Sequence, residues 1–317
     1  MSTRLASHSG SWYSDDGTTL EQQVSKLLVR APAQKNGARV ILGPHAGYTY
    51  CGERLAEAYG VWDCKATSRV FILGPSHHVY FKDTALLSGH AFYDTPIGKV
   101  PVDTEVCKKL AGSMSELFDY MSESVDEDEH SFEMHLPFLV GRCRAENVDV
   151  PPIIPVMISG LSLRARRAVV DALAPYFADK TTTFVVSSDF CHWGRRFSYT
   201  AYVPDSQLVS LTQYKSSLDR KVPIYRSIEY LDRTAMLTAS TGSVAKWDAY
   251  IETTGNTICG QKPIAIVLSL LEKYSATQDV SSTGGETFQW LGYSQSSKAV
   301  SANDSSVSYA AGYVSLK

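Results

Sequence analysis

The chain has 317 residues, of which 44% are hydrophobic and 20% are charged, with a formal net charge of −3. This length and composition predict a globular protein with a sizeable core, and the slightly acidic balance argues against nucleic acid as a main partner. The sequence has no run of about 18 apolar residues that would span a membrane. It also has no secretory signal at its N-terminus. Six cysteines without a Cys-x-x-Cys pair are typical of reduced thiols, so we expect a cytoplasmic or nuclear protein.

Two short strands in the first third of the chain end in the same way. Arg39–Leu42 and Val70–Leu73 are apolar runs, and the second is typical of a strand buried on both faces. A Gly-Pro pair terminates each strand, and a histidine follows soon after, His45 in one case and His77 in the other. Since sequential strands tend to be adjacent, we expect neighbouring strands that bring both histidines to one edge of a sheet.

Apolar periodicity predicts the remaining elements. The predicted helices are Leu20–Val29, Tyr48–Tyr59, Asp103–Leu110, Ser115–Met121, a helix starting near Asp128, Ser162–Phe177, Tyr225–Thr238, Ser243–Glu252 and Ile264–Tyr274. The other predicted strands are Thr84–Ser88, Ile153–Ile158, Thr183–Ser187 and two strands between Phe288 and Lys317, of which the last covers Val307–Val314. Residues 203–223 are polar and are predicted to form a surface insertion. The alternation of strands and helices predicts a single α/β domain over residues 1–317.

The strand Thr183–Ser187 leads into the densest group of reactive side chains in the sequence. Asp189 and His192 lie three residues apart on the turn that follows this strand. Cys259 lies shortly before the predicted helix Ile264–Tyr274, where the helix dipole favours a thiolate. Each of these side chains has a structural alternative, because a turn aspartate often caps its own turn and a small cysteine often packs in a core.

These residues support two hypotheses about a site. A metal site would use His45, His77 and Cys259, with Asp189 as a further candidate, because two imidazoles and a thiolate suit copper(I), zinc or iron. Alternatively, Cys259, His192 and Asp189 would form a nucleophile, base and orienting group for acyl transfer. The two strand-end histidines favour the metal site, since acyl transfer leaves both of them unexplained.

Two further histidines, His130 and His135, rank lower as site residues. They lie five residues apart, so a single helix would not place them on one face. Glu133 lies two residues before His135, which excludes a His-Glu-x-x-His zinc motif.

Six motifs, in order along the chain, resemble the Memo family, named for a mediator of receptor-tyrosine-kinase-driven cell motility. The resemblance runs from about Ser7 to the C-terminus, and the segment 203–223 is more similar to the fungal members than to the animal ones. The motifs are GPHAGYTYCG (43–52), GPSHHV (74–79), DEDEHSFEMHLP (126–137), SSDFCHWG (187–194), NTICG (256–260) and DSSVSYAAG (304–312).

This resemblance implies an α/β sandwich with a central, largely buried mixed β-sheet flanked by helices, similar to class III extradiol non-haem iron dioxygenases. In those enzymes two histidines and a glutamate bind iron, and another histidine acts as acid and base. By resemblance, His45 and His77 match the histidine ligands, Cys259 stands where the glutamate would be, and His192 matches the acid/base histidine, with Asp189 beside it as a second catalytic candidate. A thiolate favours copper(I) over iron(II), so ring-cleaving dioxygenase activity is not expected.

Two functions follow from the resemblance. The first is a redox protein that binds copper or iron, with zinc as an in vitro substitute, and supports reactive-oxygen signalling, cell motility or invasive growth. The alternative is a signalling adaptor that binds phosphotyrosine peptides through a vestigial site, with Arg195 or Arg196 contacting the phosphate. A Cys–His hydrolase based on Cys259 ranks third. We expect signalling proteins as partners, no membrane insertion, and a monomer or weak oligomer.

Overall fold

One large mixed β-sheet organises the part of the chain that the computed structural model describes, residues 2–215, 222–277 and 287–316. The strands are β1 (Thr3–Arg4), β2 (Ala38–Gly43), β3 (Arg69–Pro75), β4 (Ala85–Leu87), β5 (Phe92–Tyr93), β6 (Val100–Pro101), β7 (Phe118–Tyr120), β8 (Ile153–Ile158), β9 (Thr182–Ser187), β10 (His192–Trp193), β11 (Ala201–Tyr202), β12 (Thr212–Gln213), β13 (Gln289–Gln295) and β14 (Ser306–Ser315). The helices are α1 (Gly17–Arg30), α2 (Tyr48–Val61), α3 (Thr104–Ser113), α4 (Glu123–Asp128), α5 (His130–Glu133), α6 (Leu136–Ala145), α7 (Leu163–Ala178), α8 (Ile224–Ser240), α9 (Val244–Thr254) and α10 (Gln261–Ser275).

The sheet has the strand order β10-β14-β2-β9-β3-β8-β4-β7, and β13 pairs with β14. The central strands β2, β9, β3 and β8 are parallel, whereas β14 and β4 run antiparallel on either side of them. The apolar residues of β3 are completely buried, as the sequence predicted. Because parallel strands end at the same edge of a sheet, the segments after β2, β9 and β3 meet at one edge.

Strand β9 lies between the two histidine-bearing strands and pairs with both β2 and β3. The prediction that β2 and β3 would be adjacent is therefore wrong, because a strand from much later in the chain inserts between them. The insertion places Asp189, which follows β9, beside the backbone of His45. The prediction that both histidines reach the same edge of the sheet is confirmed.

Helices cover both faces of the sheet, which confirms the predicted α/β sandwich. Thr183 Oγ1 accepts a hydrogen bond from Nε1 of Trp62, the residue after α2, at 3.0 Å. The next residue, Phe184, packs its ring against Phe177 of α7, with 5.1 Å between the centroids. Successive strand residues point to opposite faces, so α2 and α7 lie on opposite sides. Helices α1 and α6 pack with α2, and α10 packs with α7.

Two of the predicted helices are wrong. Within the predicted helix Ser115–Met121, the structure has strand β7, because Phe118–Tyr120 pairs with β4 and this tertiary pairing overrides local preference. The helix predicted to start near Asp128 is instead two helices, α5 and α6, and the separate helix α4 ends at Asp128. Glu129 ends α4 and caps α5 by accepting the N–H of Ser131 at 2.9 Å, and Pro137, which lacks an N–H, lies in the first turn of α6.

The other predicted helices and strands are confirmed, with small shifts at their ends. The predicted surface insertion at 203–223 includes β12, but residues 216–221 lie outside the described part of the chain. Among the helices that the structure describes, none is both long and apolar enough to cross a lipid bilayer.

Candidate metal centre

His45 lies just beyond β2 with only 1% of its surface exposed. Its backbone N–H donates to Asp189 Oδ1 at 2.9 Å, and its Nδ1 lies 2.7 Å from Ser187 Oγ. Its other ring nitrogen, Nε2, lies 3.1 Å from Cys259 Sγ. Burial, together with repulsion from the neighbouring histidines, holds the pKa of His45 well below its usual range. The imidazole is therefore neutral at neutral pH, as a metal ligand must be.

His77 follows β3 and is oriented by a buried carboxylate. Its Nδ1 and its backbone N–H both bond to the Glu129 side chain, each at 2.8 Å. Burial alone would raise the pKa of Glu129, but the hydrogen bonds and electrostatic interaction with His77, with a smaller effect of His130, lower it to about 2. An ionised carboxylate on Nδ1 leaves Nε2 of His77 available, which is the usual arrangement of a metal-binding histidine. The His77 side chain is 25% exposed, so solvent reaches this side of the site.

His130 supplies a third imidazole. Its ring stacks on His77 with the centroids 4.2 Å apart, and it lies 5.3 Å from the ring of His45. One ring nitrogen from each of His45, His77 and His130, hereafter the histidine cluster, lies within 4.8 Å of the other two. Among the described residues, this is the one set of three potential metal-ligating side chains with that property. Burial, followed by repulsion from His77, lowers the pKa of His130 to about 3, so this ring is also neutral.

His130 ranked low as a site residue because the sequence pattern predicted one continuous helix starting near Asp128. The helix break at Glu129 directs His130, the first residue of α5, towards the end of β3. His135 lies in the next turn of the chain, directly before α6. A useful signal was present in the sequence, because Pro137 favours a helix start.

Cys259 lies at the edge of the histidine cluster but is not a member of that set. Its Sγ accepts the backbone N–H of Asp189 at 3.1 Å and contacts His45 Nε2. Burial, reinforced by the negative charge of Asp189, raises the pKa of the Cys259 thiol well above its usual range. The sequence predicted that the start of α10 would favour a thiolate, but burial outweighs the helix dipole. Without a metal ion, Cys259 is a thiol.

The hydrogen bonds do not assemble the acyl-transfer group considered from the sequence. Nδ1 of His192 donates to two backbone carbonyls, those of Phe190 at 2.9 Å and Thr257 at 3.2 Å. The Asp189 carboxylate accepts backbone N–H groups after β2 and makes no hydrogen bond to His192 among the described contacts. The Cys259 thiol faces a different imidazole. Both Asp189 and His192 border the site, but they do not orient Cys259 as a nucleophile.

Gly260 packs against the end of β9 and determines where Cys259 lies. A Cβ atom at this position would lie 2.5 Å from Ser188 Oγ and 2.7 Å from the backbone oxygen of Ser187. We therefore expect Gly260→Ala to lower the free energy of unfolding by about 1–3 kcal/mol, since neither neighbour can move far. The displaced loop should also make Cys259 react faster with iodoacetamide. Denaturant unfolding and peptide mass spectrometry measure the two effects.

Gly112→Ala is the matched control for this substitution, because no atom lies within 4 Å of a Cβ added in that part of α3. It should unfold at the same denaturant concentration as the wild type or slightly higher. Wild-type stability and wild-type thiol reactivity in Gly260→Ala would contradict the close packing of this loop on β9.

Comparisons with known proteins show which family the chain belongs to. A family model described as Memo-like protein matches residues 4–313. The MEMO1 family protein MHO1 of Saccharomyces cerevisiae is 42% identical over 341 aligned positions, which cover 100% of both chains. Protein MEMO1 of Xenopus laevis is 42% identical, covering 98% of this chain and 96% of that protein, and Protein MEMO1 of Homo sapiens is 40% identical, covering 99% and 97%. The family resemblance noted from the sequence motifs is therefore confirmed, and the chain belongs to the Memo family.

Proposed function

We propose that this protein binds a redox-active metal ion, copper or iron, through His45, His77 and Cys259, with His130 as an adjacent fourth donor. The observation that carries the proposal is the convergence of three imidazole nitrogens within 4.8 Å of one another at the edge of the sheet. The Cys259 sulfur, 3.1 Å from His45 Nε2, adds a soft donor to this group. Imidazole and thiolate together favour copper(I), while the imidazoles also suit iron and zinc.

The surroundings of the imidazoles support this proposal. His45 and His77 each have one ring nitrogen engaged by a protein oxygen, from Ser187 and Glu129 respectively. Partners of this kind orient the ring and leave its second nitrogen for the metal. Burial keeps His45 and His130 neutral, so neither ring must lose a proton when a metal ion binds.

A bound copper or iron ion supplies one-electron exchange between a thiol reductant and dioxygen. In the balanced reaction, two thiols and two dioxygen molecules give one disulfide, two superoxide ions and two protons. The partly exposed edge of His77 gives small reactants access. Asp189, whose pKa burial raises to about 7, is a group beside the site that can accept a proton near neutral pH.

We further propose that this chemistry supports reactive-oxygen signalling in the cytoplasm, and through it cell motility or invasive growth. This part of the proposal rests on membership of the Memo family and on the redox character of the donor set. It predicts that cells carrying a metal-free variant lose the signalling response while keeping normal levels of the protein.

A metal titration of Cys259→Ser tests the proposed ligand set. At pH 7, we expect each copper(I) ion to release one more proton from the wild type than from the variant, because the Cys259 thiol is protonated whereas His45 and His130 are neutral. The variant should also bind at least about 10-fold more weakly and produce superoxide more slowly. Anaerobic calorimetry in two buffers with different ionisation enthalpies counts the protons.

Cys107→Ser is the matched control, since Cys107 is a buried thiol in α3 and its pKa is also raised by burial. It should titrate like the wild type. Equal affinity, equal proton release and equal superoxide production in Cys259→Ser and in the wild type would remove Cys259 from the site.

One local feature favours the adaptor as a second candidate function. Arg195 and Arg196 are exposed directly after the His192 turn, and the Arg196 guanidinium lies 4.4 Å from the ring centroid of Phe197. Phe197 in turn packs edge-on against His192, with 5.1 Å between the centroids. Exposed guanidinium groups bind phosphate through paired hydrogen bonds. If the protein is an adaptor, the wild type should bind phosphotyrosine peptides in excess chelator, and the Arg196→Ala variant should not. A purely metal-dependent protein should bind no such peptide under these conditions.

A further inference from the structure

The hydroxyl of Ser187, at the end of β9, is the centre of a buried hydrogen-bond network behind His45. Ser187 has no exposed surface, and its Oγ lies within hydrogen-bond distance of three groups. These are the backbone carbonyl of Ser131 at 2.7 Å, His45 Nδ1 at 2.7 Å and His135 Nε2 at 3.0 Å. His135 is itself fully buried, and its Nδ1 lies 3.1 Å from the hydroxyl of Tyr59.

Counting donors and acceptors fixes the direction of each of these bonds. A hydroxyl has one proton and two lone pairs, and a carbonyl can only accept, so the Ser187 proton goes to Ser131. Both imidazoles must then donate to Ser187, His45 through Nδ1–H and His135 through Nε2–H. A neutral imidazole has only one N–H, and both rings are shut off from solvent, His45 with 1% and His135 with 0% of its surface exposed. Nδ1 of His135 therefore accepts from Tyr59.

This pattern determines the chemistry of the opposite side of His45. Because Nδ1 carries the proton, Nε2 carries a lone pair, which faces the Cys259 sulfur 3.1 Å away. The Ser187 hydroxyl also connects the end of β9 to Ser131, the residue next to His130, so one side chain restrains two members of the histidine cluster.

We propose that Ser187 is a positioning residue that fixes the tautomer of His45, so that the unprotonated nitrogen faces Cys259 and the histidine cluster. The inference rests on the metal site proposed above, because only an unprotonated ring nitrogen binds a metal ion. Ser131 and His135 make the orientation unique, since they take up the proton and the second lone pair of the hydroxyl. Removal of the hydroxyl takes away the acceptor for His45 Nδ1–H and makes the other tautomer accessible.

The test combines ¹⁵N NMR of histidine side chains in the metal-free protein with copper(I) titration. The wild type should show His45 as a single tautomer protonated at Nδ1. Ser187→Ala should show the Nε2-protonated form or a mixture, with metal affinity reduced by about 10- to 100-fold. Ser187→Thr, which keeps a hydroxyl, should restore the wild-type tautomer.

Thr183→Val is the matched control, because it removes another buried hydroxyl from β9 that bonds to Trp62 and Thr67 away from the site. It should lower Tm and leave the His45 tautomer and the metal affinity unchanged. An Nε2-protonated His45 in the wild type, or an unchanged tautomer in Ser187→Ala, would overturn the inference even if the wild type binds metal. A tautomer change in Ser187→Ala without metal binding by the wild type would support the inference and contradict the proposed function.

Discussion

Replacing His45 with alanine is expected to weaken copper(I) binding by more than about 100-fold, since even the outer partners of metal ligands contribute 10- to 100-fold. His45 is the residue that joins the candidate site together. Its ring lies 5.0 Å from that of His77, its Nε2 contacts Cys259, and its backbone is held by Asp189. Competition with a chromophoric copper(I) chelator measures the change in affinity.

His90→Ala is the control for loss of a buried imidazole. His90 is 5% exposed and precedes β5, and it is not a member of the histidine cluster. The control should keep the copper affinity of the wild type, whatever its effect on Tm. Copper affinities of His45→Ala and the wild type within a factor of about 3 would place the metal ion elsewhere in the protein.

Replacing Arg4 with methionine is expected to lower the free energy of unfolding by about 3–5 kcal/mol, because it leaves buried carboxylates without their cation. Arg4 has no exposed surface, and its guanidinium lies 2.7 Å from Glu133 and 3.2 Å from Asp126. It also donates to the backbone carbonyls of Asp126 and Glu129, each at 2.8 Å. Equilibrium unfolding in urea measures the loss.

The same substitution should weaken metal binding, although Arg4 does not contact the histidine cluster. Arg4 holds the backbone at the end of α4 and at Glu129, the residue after it, and this segment carries Glu129 and His130 into the site. Arg226→Met is the control, since Arg226 pairs with Glu229 at the surface, where solvent screens the interaction. If Arg4→Met unfolds at the same urea concentration as Arg226→Met, the buried network does not support the fold as described.

The sequence predicted the parts of the site that depend on local patterns. His45 and His77 were found because an apolar run, a Gly-Pro pair and a histidine occur together twice, and each part of that pattern has a local physical cause. Strand β3 and the capped helices were also predicted correctly, because they too depend on local sequence patterns. The place of β9 was not predicted, because strand order depends on pairing between residues 113 to 144 positions apart, such as Val70 with Thr183 and Val40 with Phe184.

The contribution of His130 and Ser187 could not be predicted for a related reason. His130 enters the site because Glu129 bonds to His77, 52 residues away. Ser187 looks like an ordinary serine at a strand end, and only the folded chain brings the ring of His135 behind it. The protonation of Cys259 was also predicted incorrectly, because the helix start is visible in the sequence whereas the burial of the thiol is not.

X-ray absorption at the copper edge of the copper(I)-loaded protein tests the central claim most directly. The claim is that the edge of the sheet forms a metal centre with histidine and cysteine ligands. The spectrum of the wild type should contain a sulfur scatterer together with imidazole nitrogens in the first coordination shell. In Cys259→Ser the sulfur contribution should disappear while the imidazole pattern remains. A wild-type shell of nitrogen and oxygen alone, unchanged in Cys259→Ser, would contradict this account of the site.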